Sequence, residues 1–129
     1  MDVDFFKNFN DFYGHQKGDE VISAVAKAVK NAIRHMDFVA RYGGEEFAIV
    51  ASNMARNTAI EFTALCLQQV RQLQIQHQHR LDEKQLVTIS IGGAVMDAEH
   101  SYQEIIELMK TADQQLYKAK AYRDCSIVI

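Results

Sequence analysis

Arg41-Tyr42-Gly43-Gly44-Glu45-Glu46-Phe47 lies between two short apolar runs, residues 37–40 (DFVA) and 48–51 (AIVA). Both runs read as strands. A glycine pair between them is a strong hairpin signal, because such a turn needs backbone angles that a side chain resists. The two glutamates that follow do nothing for a strand, and their charges repel at the tip. One reading is a solvated turn carrying two surface acids, and for the tetrapeptide GGEE alone it is the favoured one. The other is a divalent-cation site with room for a phosphate chain. Oxygen ligands of this kind suit Mg2+, which takes one or two carboxylates together with substrate phosphates. The remainder of the chain decides between them.

Toward the N-terminus, Val21, Ile22, Val25, Ala26, Val29, Ala32 and Ile33 recur with the helical period and predict an amphipathic helix of about four turns. Asp19 is placed to cap its start, and the pattern runs out at Arg34-His35-Met36-Asp37. Residues 7–15 (KNFNDFYGH) read as a polar-aromatic loop with room for one helical turn. Residues 1–6 (MDVDFF) read as a strand, with Val3 and Phe5 on one face and Asp2, Asp4 and Phe6 on the other. Acids at alternate positions of a buried strand are unfavourable unless a cation meets them. Otherwise Asp2 and Asp4 belong to a frayed end that faces water.

Downstream of the hairpin, residues 53–56 form a turn, and Asn57 or Thr58 is placed to cap a second amphipathic helix. Its apolar positions are Ile60, Phe62, Leu65, Cys66, Val70 and Leu73. Residues 74–84 (QIQHQHRLDEK) are polar and poorly patterned, a frayed helix end and loop; His77 and His79, two apart, read as surface residues rather than metal ligands. Residues 86–96 (LVTISIGGAVM) alternate cleanly and predict a strand, bent at its glycines. Ser101 with Glu104 has the form of a capping box. The helix after it would turn Ile105, Ile106, Leu108, Met109, Ala112, Leu116, Tyr117 and Ala119 to the core, with Lys118 and Lys120 near its end. Residues 126–129 (SIVI) read as a last strand. The order β-α-β-β-α-β-α-β implies an α+β fold: an antiparallel-containing sheet of about five strands flanked by helices, ferredoxin-like and close to a polymerase palm.

Composition narrows the function classes. A chain of 129 residues, 48% hydrophobic, is of single-domain size and able to bury a core. Its net charge of −3 supplies no basic footprint for nucleic acid. No apolar run approaches a membrane span and no secretory leader is legible. Cys66 and Cys125 lack metal-ligand spacing and read as free thiols of a reducing cytoplasm. Proline is absent, and four of the six glycines fall in the pairs Gly43-Gly44 and Gly92-Gly93.

Three blocks act together: Asp2-Val3-Asp4-Phe5-Phe6-Lys7; Asn10-Asp11 with Tyr13-Gly14-His15 and Gly18-Asp19; and Arg41-Tyr42-Gly43-Gly44-Glu45-Glu46-Phe47. In order and spacing they resemble the GGDEF domain of bacterial diguanylate cyclases, in its GGEEF variant. Residues 87–92 (VTISIG) and 112–120 (ADQQLYKAK) extend the resemblance over essentially the whole chain. The family condenses two GTP into cyclic di-GMP and releases two pyrophosphates. The resemblance implies that Asp2, Glu45 and the carbonyl of Val3 hold Mg2+, with Mn2+ as the alternative, in a two-metal in-line displacement. Glu45 is implied as base toward the attacking 3′-hydroxyl, and Glu46 as support for the metal site from the next position. Asn10 and Asp19 fall at the guanine-reading positions; a carboxylate accepts from guanine N1–H and N2–H and repels adenine. Lys7, Lys120 and the backbone N–H groups of Phe5 and Phe6 would contact phosphates. Arg34 and Asp37 fit the family's RxxD product-inhibition site.

Two departures stand out. The family carries a further helix and a DxLTxLxNRRxF-like segment ahead of the first strand, about forty residues absent from this sequence. An upstream sensor domain would precede them. The family's AKxxGRN ending is also altered: Asp124 holds the usual arginine place and Arg123 sits one position early. The second arginine that often completes the product site is not found in residues 63–67 (TALCL). The leading expectation is a cytoplasmic, Mg2+-dependent diguanylate cyclase working as a homodimer, with one GTP per domain. The competing one is a GGDEF module of weak or no turnover that binds GTP or cyclic di-GMP as a receptor.

Overall fold

The computed structural model describes residues 1–129. Strands β1 (Asp2–Val3), β2 (Phe38–Gly43), β3 (Glu46–Val50), β4 (Ile89–Gly93) and β5 (Ser126–Val128) form one sheet in the order β2-β3-β1-β4-β5. Neighbours run antiparallel except β4 and β5, which are parallel. Helices α1 (Phe6–Tyr13), α2 (His15–Ala32), α3 (Arg56–Arg71) and α4 (Ile105–Tyr122) complete the palm-like α+β fold. Alternation along the strands sorts the two faces. Val3, Phe47, Ile89 and Ile91 join Val21, Val25 and Val29 of α2 and Cys66, Leu67 and Val70 of α3 in the core. Asp2 and Gly92 face α4 on the other side.

Gly92 explains how closely α4 lies on the sheet: a Cβ there would fall on the backbone nitrogen of Leu116 and the carbonyl of Ala112. That approach puts the C-terminal half of α4 beside β1. It also narrows the expected core face of this helix, on which Ala119 is buried and Leu108, Ala112 and Leu116 are half-buried. Only Gln115 and Ala119 are buried, while Ile105, Ile106, Met109 and Tyr117 lie exposed, because backbone and small residues make the contact.

The hairpin forms as expected, with Gly44 at φ +49° and Arg41 Nε donating to the Gly44 carbonyl at 2.8 Å. Other boundaries differ. The first strand stops at Val3, and residues 7–13 are helical rather than a loop: Phe6 and Phe9 plug α1 into the core despite its polar letters. The α1–α2 break falls at Gly14, φ +88°, so the element order gains a helix. Asp19 therefore sits inside α2, exposed, and caps nothing. No side-chain cap forms at α3, preceded by Ala55, nor at α4, preceded by Glu104. In the place of a capping box, the Glu107 carboxylate accepts from the N–H of Gln103 at 3.0 Å. The buried face of α3 runs through Ala59, Thr63, Cys66, Leu67 and Val70, leaving Ile60 and Leu65 largely outside. His77 is buried rather than on the surface; His79 is exposed and stacks on Phe12. No helix is long and apolar enough to cross a membrane. Both cysteines are free, and burial pushes the Cys66 thiol up to about 11.

Candidate active site

The sheet register builds the site. Asp2 lies opposite Glu46 on one side and Ser90 on the other, and the Val3 N–H donates to the Glu45 carbonyl at 3.2 Å. The hairpin acids are thereby carried to the end of the central strand. Asp2 is buried, not frayed, and its Oδ2 accepts from Lys120 Nζ of α4 at 2.8 Å. Burial pushes the Asp2 carboxyl above its usual range; Lys120 opposes this through its hydrogen bond and charge, while the charges of Glu45 and Asp4 add to it. Glu45 is half-buried, enters none of the chain's ion pairs, and its charge is felt at Asp2. Glu46 is exposed. Two carboxylates repelling across a gap, with a lysine as present counter-ion, form a donor set that fits Mg2+ completed by phosphate oxygens. No cluster of three or more His, Cys, Asp or Glu side chains is present, so an all-protein metal cage is not the kind of site on offer.

Beyond Val3 the chain turns through Asp4 and Phe5, the latter in the left-handed region at φ 51° and ψ 36°. Asp4 is wholly buried and fully met. Thr88 Oγ1 donates to it at 2.7 Å, Ser90 Oγ at 2.6 Å and the Asp124 N–H at 2.9 Å, with Arg123 Nη1 at 3.5 Å. Arg123 also lies over the Phe5 ring at 4.5 Å and Arg80 at 5.1 Å. Asp124, which holds the family's usual arginine place, binds Arg71 and Lys84.

The turn feeds α1, whose first N–H groups have no side-chain cap; such groups at a helix start are a general anion-binding element. Phe6 itself is buried in the core, and Lys7 is exposed in an i,i+4 pair with Asp11. Asn10 Oδ1 is buried with no hydrogen-bond partner, in the space left by the missing side chain of Gly18. Asp19, one residue on, lines an open groove of about 560 Å3 with Gln16, Glu20, Ser23, Ala24 and Lys27. Arg34 and Asp37 stand apart from these groups and grip each other: Nε–Oδ2 at 2.8 Å and Nη2–Oδ1 at 2.6 Å, with a further bond to the Ser52 carbonyl at 2.7 Å. The Asp37 side chain is fully covered, and the Arg34 guanidinium holds its carboxyl below the usual range.

The structure thus gathers Asp2, Val3, Glu45, Glu46 and Lys120, sets Phe5, Phe6 and Lys7 on the adjoining turn, and places Asn10 and Asp19 along α1 and α2. Sequence reasoning missed Thr88, Ser90 and Arg80, put His77 on the surface, and gave Arg123 no partner. The polar residues alternating with Val87, Ile89 and Ile91 were a usable signal that one face of this strand meets charge.

A family model described as "Diguanylate cyclase, GGDEF domain" matches residues 1–124. The chain belongs to the GGDEF family. It is 38% identical over 121 residues to diguanylate cyclase A of Treponema denticola, an alignment covering 93% of this chain and 31% of that protein. The chain thus spans less than a third of that relative's length. Among solved structures it is similar to the active GGEEF domain of a diguanylate cyclase from Vibrio cholerae, at a TM-score of 0.84 and 32% identity, covering 98% of this chain and 78% of that one. It is also similar to the GGDEF domain of DgcB from Caulobacter crescentus in complex with c-di-GMP: TM-score 0.83, 31% identity, 98% and 73% covered.

Proposed function

We propose that this chain is the catalytic domain of a cytoplasmic diguanylate cyclase, joining two GTP into cyclic di-GMP with release of two pyrophosphates. The observation that carries this reading is the buried Asp2 carboxylate, which feels the charge of the partnerless Glu45 across the β1–hairpin junction, next to the uncapped start of α1. Asp2, Glu45 and the Val3 carbonyl would hold Mg2+ (or Mn2+), which supplies charge neutralisation along the triphosphate. Each turnover step forms a bond from a 3′-oxygen to an α-phosphorus and breaks the α–β phosphoanhydride. Glu45 is read as the group that accepts the hydroxyl proton, with Glu46 next to it in the chain supporting the metal site. The N–H groups of Phe5 and Phe6, with Lys7, receive phosphates. Lys120, which neutralises Asp2 here, would be free to contact a phosphate with a cation bound at that carboxylate.

Asn10 Oδ1, buried and orphaned, is an acceptor awaiting a donor such as guanine N2–H. Asp19 borders the open groove from the next helix. One domain holds one nucleotide, so the reaction joins two domains face to face in a homodimer. The 129 residues are read as one GGDEF domain preceded, in the full protein, by a further helix and an upstream sensor. The Arg34–Asp37 site is read as the product site. Because the two side chains already satisfy each other, cyclic di-GMP has to compete with Asp37 for Arg34.

The test is chromatography of the products from GTP and Mg2+ over a range of protein concentrations. Cyclic di-GMP rising faster than linearly with protein, and absent in Glu45→Ala, supports the cyclase; nucleotide binding without product favours the receptor reading. The engagement of Arg123 with Asp4 and Phe5, away from the usual arginine place, is the observation behind that second reading.

A further inference from the structure

His77 belongs to a segment with no catalytic motif, yet its side chain is buried against the β1–α1 turn. Its Nε2 lies 3.0 Å from the Phe5 carbonyl. A carbonyl oxygen only accepts, so Nε2 carries the hydrogen, and Nδ1 is left buried without a partner. The ring stands edge-on to Phe9 at 5.2 Å. An apolar ring would fill that space equally well and leave no orphaned nitrogen. What the imidazole adds is the hydrogen bond to Phe5.

That bond falls at a sensitive point. Phe5 is a bulky residue in the left-handed region, a conformation that persists only when its surroundings enforce it. Its carbonyl also receives the Phe9 N–H at 3.1 Å, so His77 supplies the second of two holds on one oxygen. The peptide group is planar, so fixing the Phe5 carbonyl fixes the opposite-pointing N–H of Phe6, the first helical donor of α1. Arg80, three residues beyond His77, holds the Leu86 carbonyl and Thr88 Oγ1, and Thr88 passes the contact to Asp4. One short segment thus supports both residues of the turn.

The geometry points to His77 as a positioning residue for phosphate binding: through the Phe5 carbonyl it aims the first N–H groups of α1 at the nucleotide's phosphates. This rests on the cyclase reading above and adds to it a residue outside the family's motifs. The test uses the full chain and calorimetric binding of two probes, GTP with Mg2+ and guanosine, which lacks phosphates. His77→Phe keeps the ring and removes the donor; His77→Gln restores a donor near the Nε2 position. The expected result is a roughly tenfold loss of GTP affinity in His77→Phe, unchanged guanosine affinity, and recovery in His77→Gln. GTP binding by His77→Phe equal to the parent overturns the inference, and so does an equal loss for both probes. Should His77→Phe melt at the assay temperature, His77→Asn takes its place, since its shorter amide cannot reach Phe5. Full GTP affinity in that variant likewise overturns it. A parent chain that binds neither probe sinks the cyclase reading itself, a failure visible before any variant is made.

Discussion

Asp2 and Asp4 stand two residues apart, both buried, and their surroundings could hardly differ more. Asp4 is met by Thr88, Ser90, Arg123 and the Asp124 N–H, groups drawn from β4 and the end of α4. Asp2 has Lys120 alone and feels the charge of Glu45. A carboxylate surrounded by donors is fixed in place and has no capacity left for a ligand. On the cyclase reading, one buried with a single partner has room for another cation. The same strand end would then contain a structural acid and a reactive one, told apart by the number of donors.

The largest expected effect comes from Glu45→Ala. Product formation should fall at least about a thousandfold, roughly 4 kcal/mol of lost transition-state stabilisation, with urea stability changed by less than about 0.5 kcal/mol. A stability loss of several kcal/mol would show that the hairpin acid is structural and would erase the contrast. Asp4→Ala should do the reverse. Removing one member of a buried charged network costs about 3–5 kcal/mol, read as a shift of the urea midpoint. Gly92→Ala comes next, at about 1–3 kcal/mol, because α4 must lift off β4; its product rate should drop as well, since Lys120 moves with the helix. Asp2→Ala should lower GTP-dependent product by about a hundredfold, roughly 2.7 kcal/mol, yet change stability by no more than about 1 kcal/mol, because it also relieves repulsion with Glu45.

The smallest effect is a pH dependence. Burial holds the His77 imidazole below its ordinary value, helped by the charges of Arg80 and His79 and opposed by the Phe5 carbonyl and Asp82. The unfolded chain therefore takes up the proton first. The stability His77 contributes is present above the ordinary value of 6.5 and is lost as pH falls from there through its lower folded value. Denaturation midpoints across that window should slope downward for the parent and less steeply for His77→Gln.

The reactive half of this contrast was legible in the sequence and the structural half was not. Glu45, Asp2 and the hairpin follow from local letters: a glycine pair, adjacent acids, an alternating strand start. The partners of Asp4 lie 84 to 120 residues away in sequence, and no local pattern links them. The α1 helix was hidden because Lys7, Asn8, Asn10 and Asp11 dilute an apolar signal carried by Phe6 and Phe9 alone. In α4 the reverse occurred. Its apolar residues suggested a core face, yet Gly92 brings backbone against backbone and leaves Ile105, Ile106 and Met109 outside.

The bond from the Asp124 N–H to Asp4 has a kinetic consequence as the chain emerges from the ribosome. Its two ends are separated by 120 residues, so the floor of the site cannot close until Asp124 has been synthesised. The β2–β3 hairpin and the single helices need only nearby residues and can form much earlier, whereas the central strand waits for distant partners. A nascent chain would then already display its glutamate-tipped hairpin while Asp2 and Asp4 are still solvated, and capacity for nucleotide would arrive in one late step.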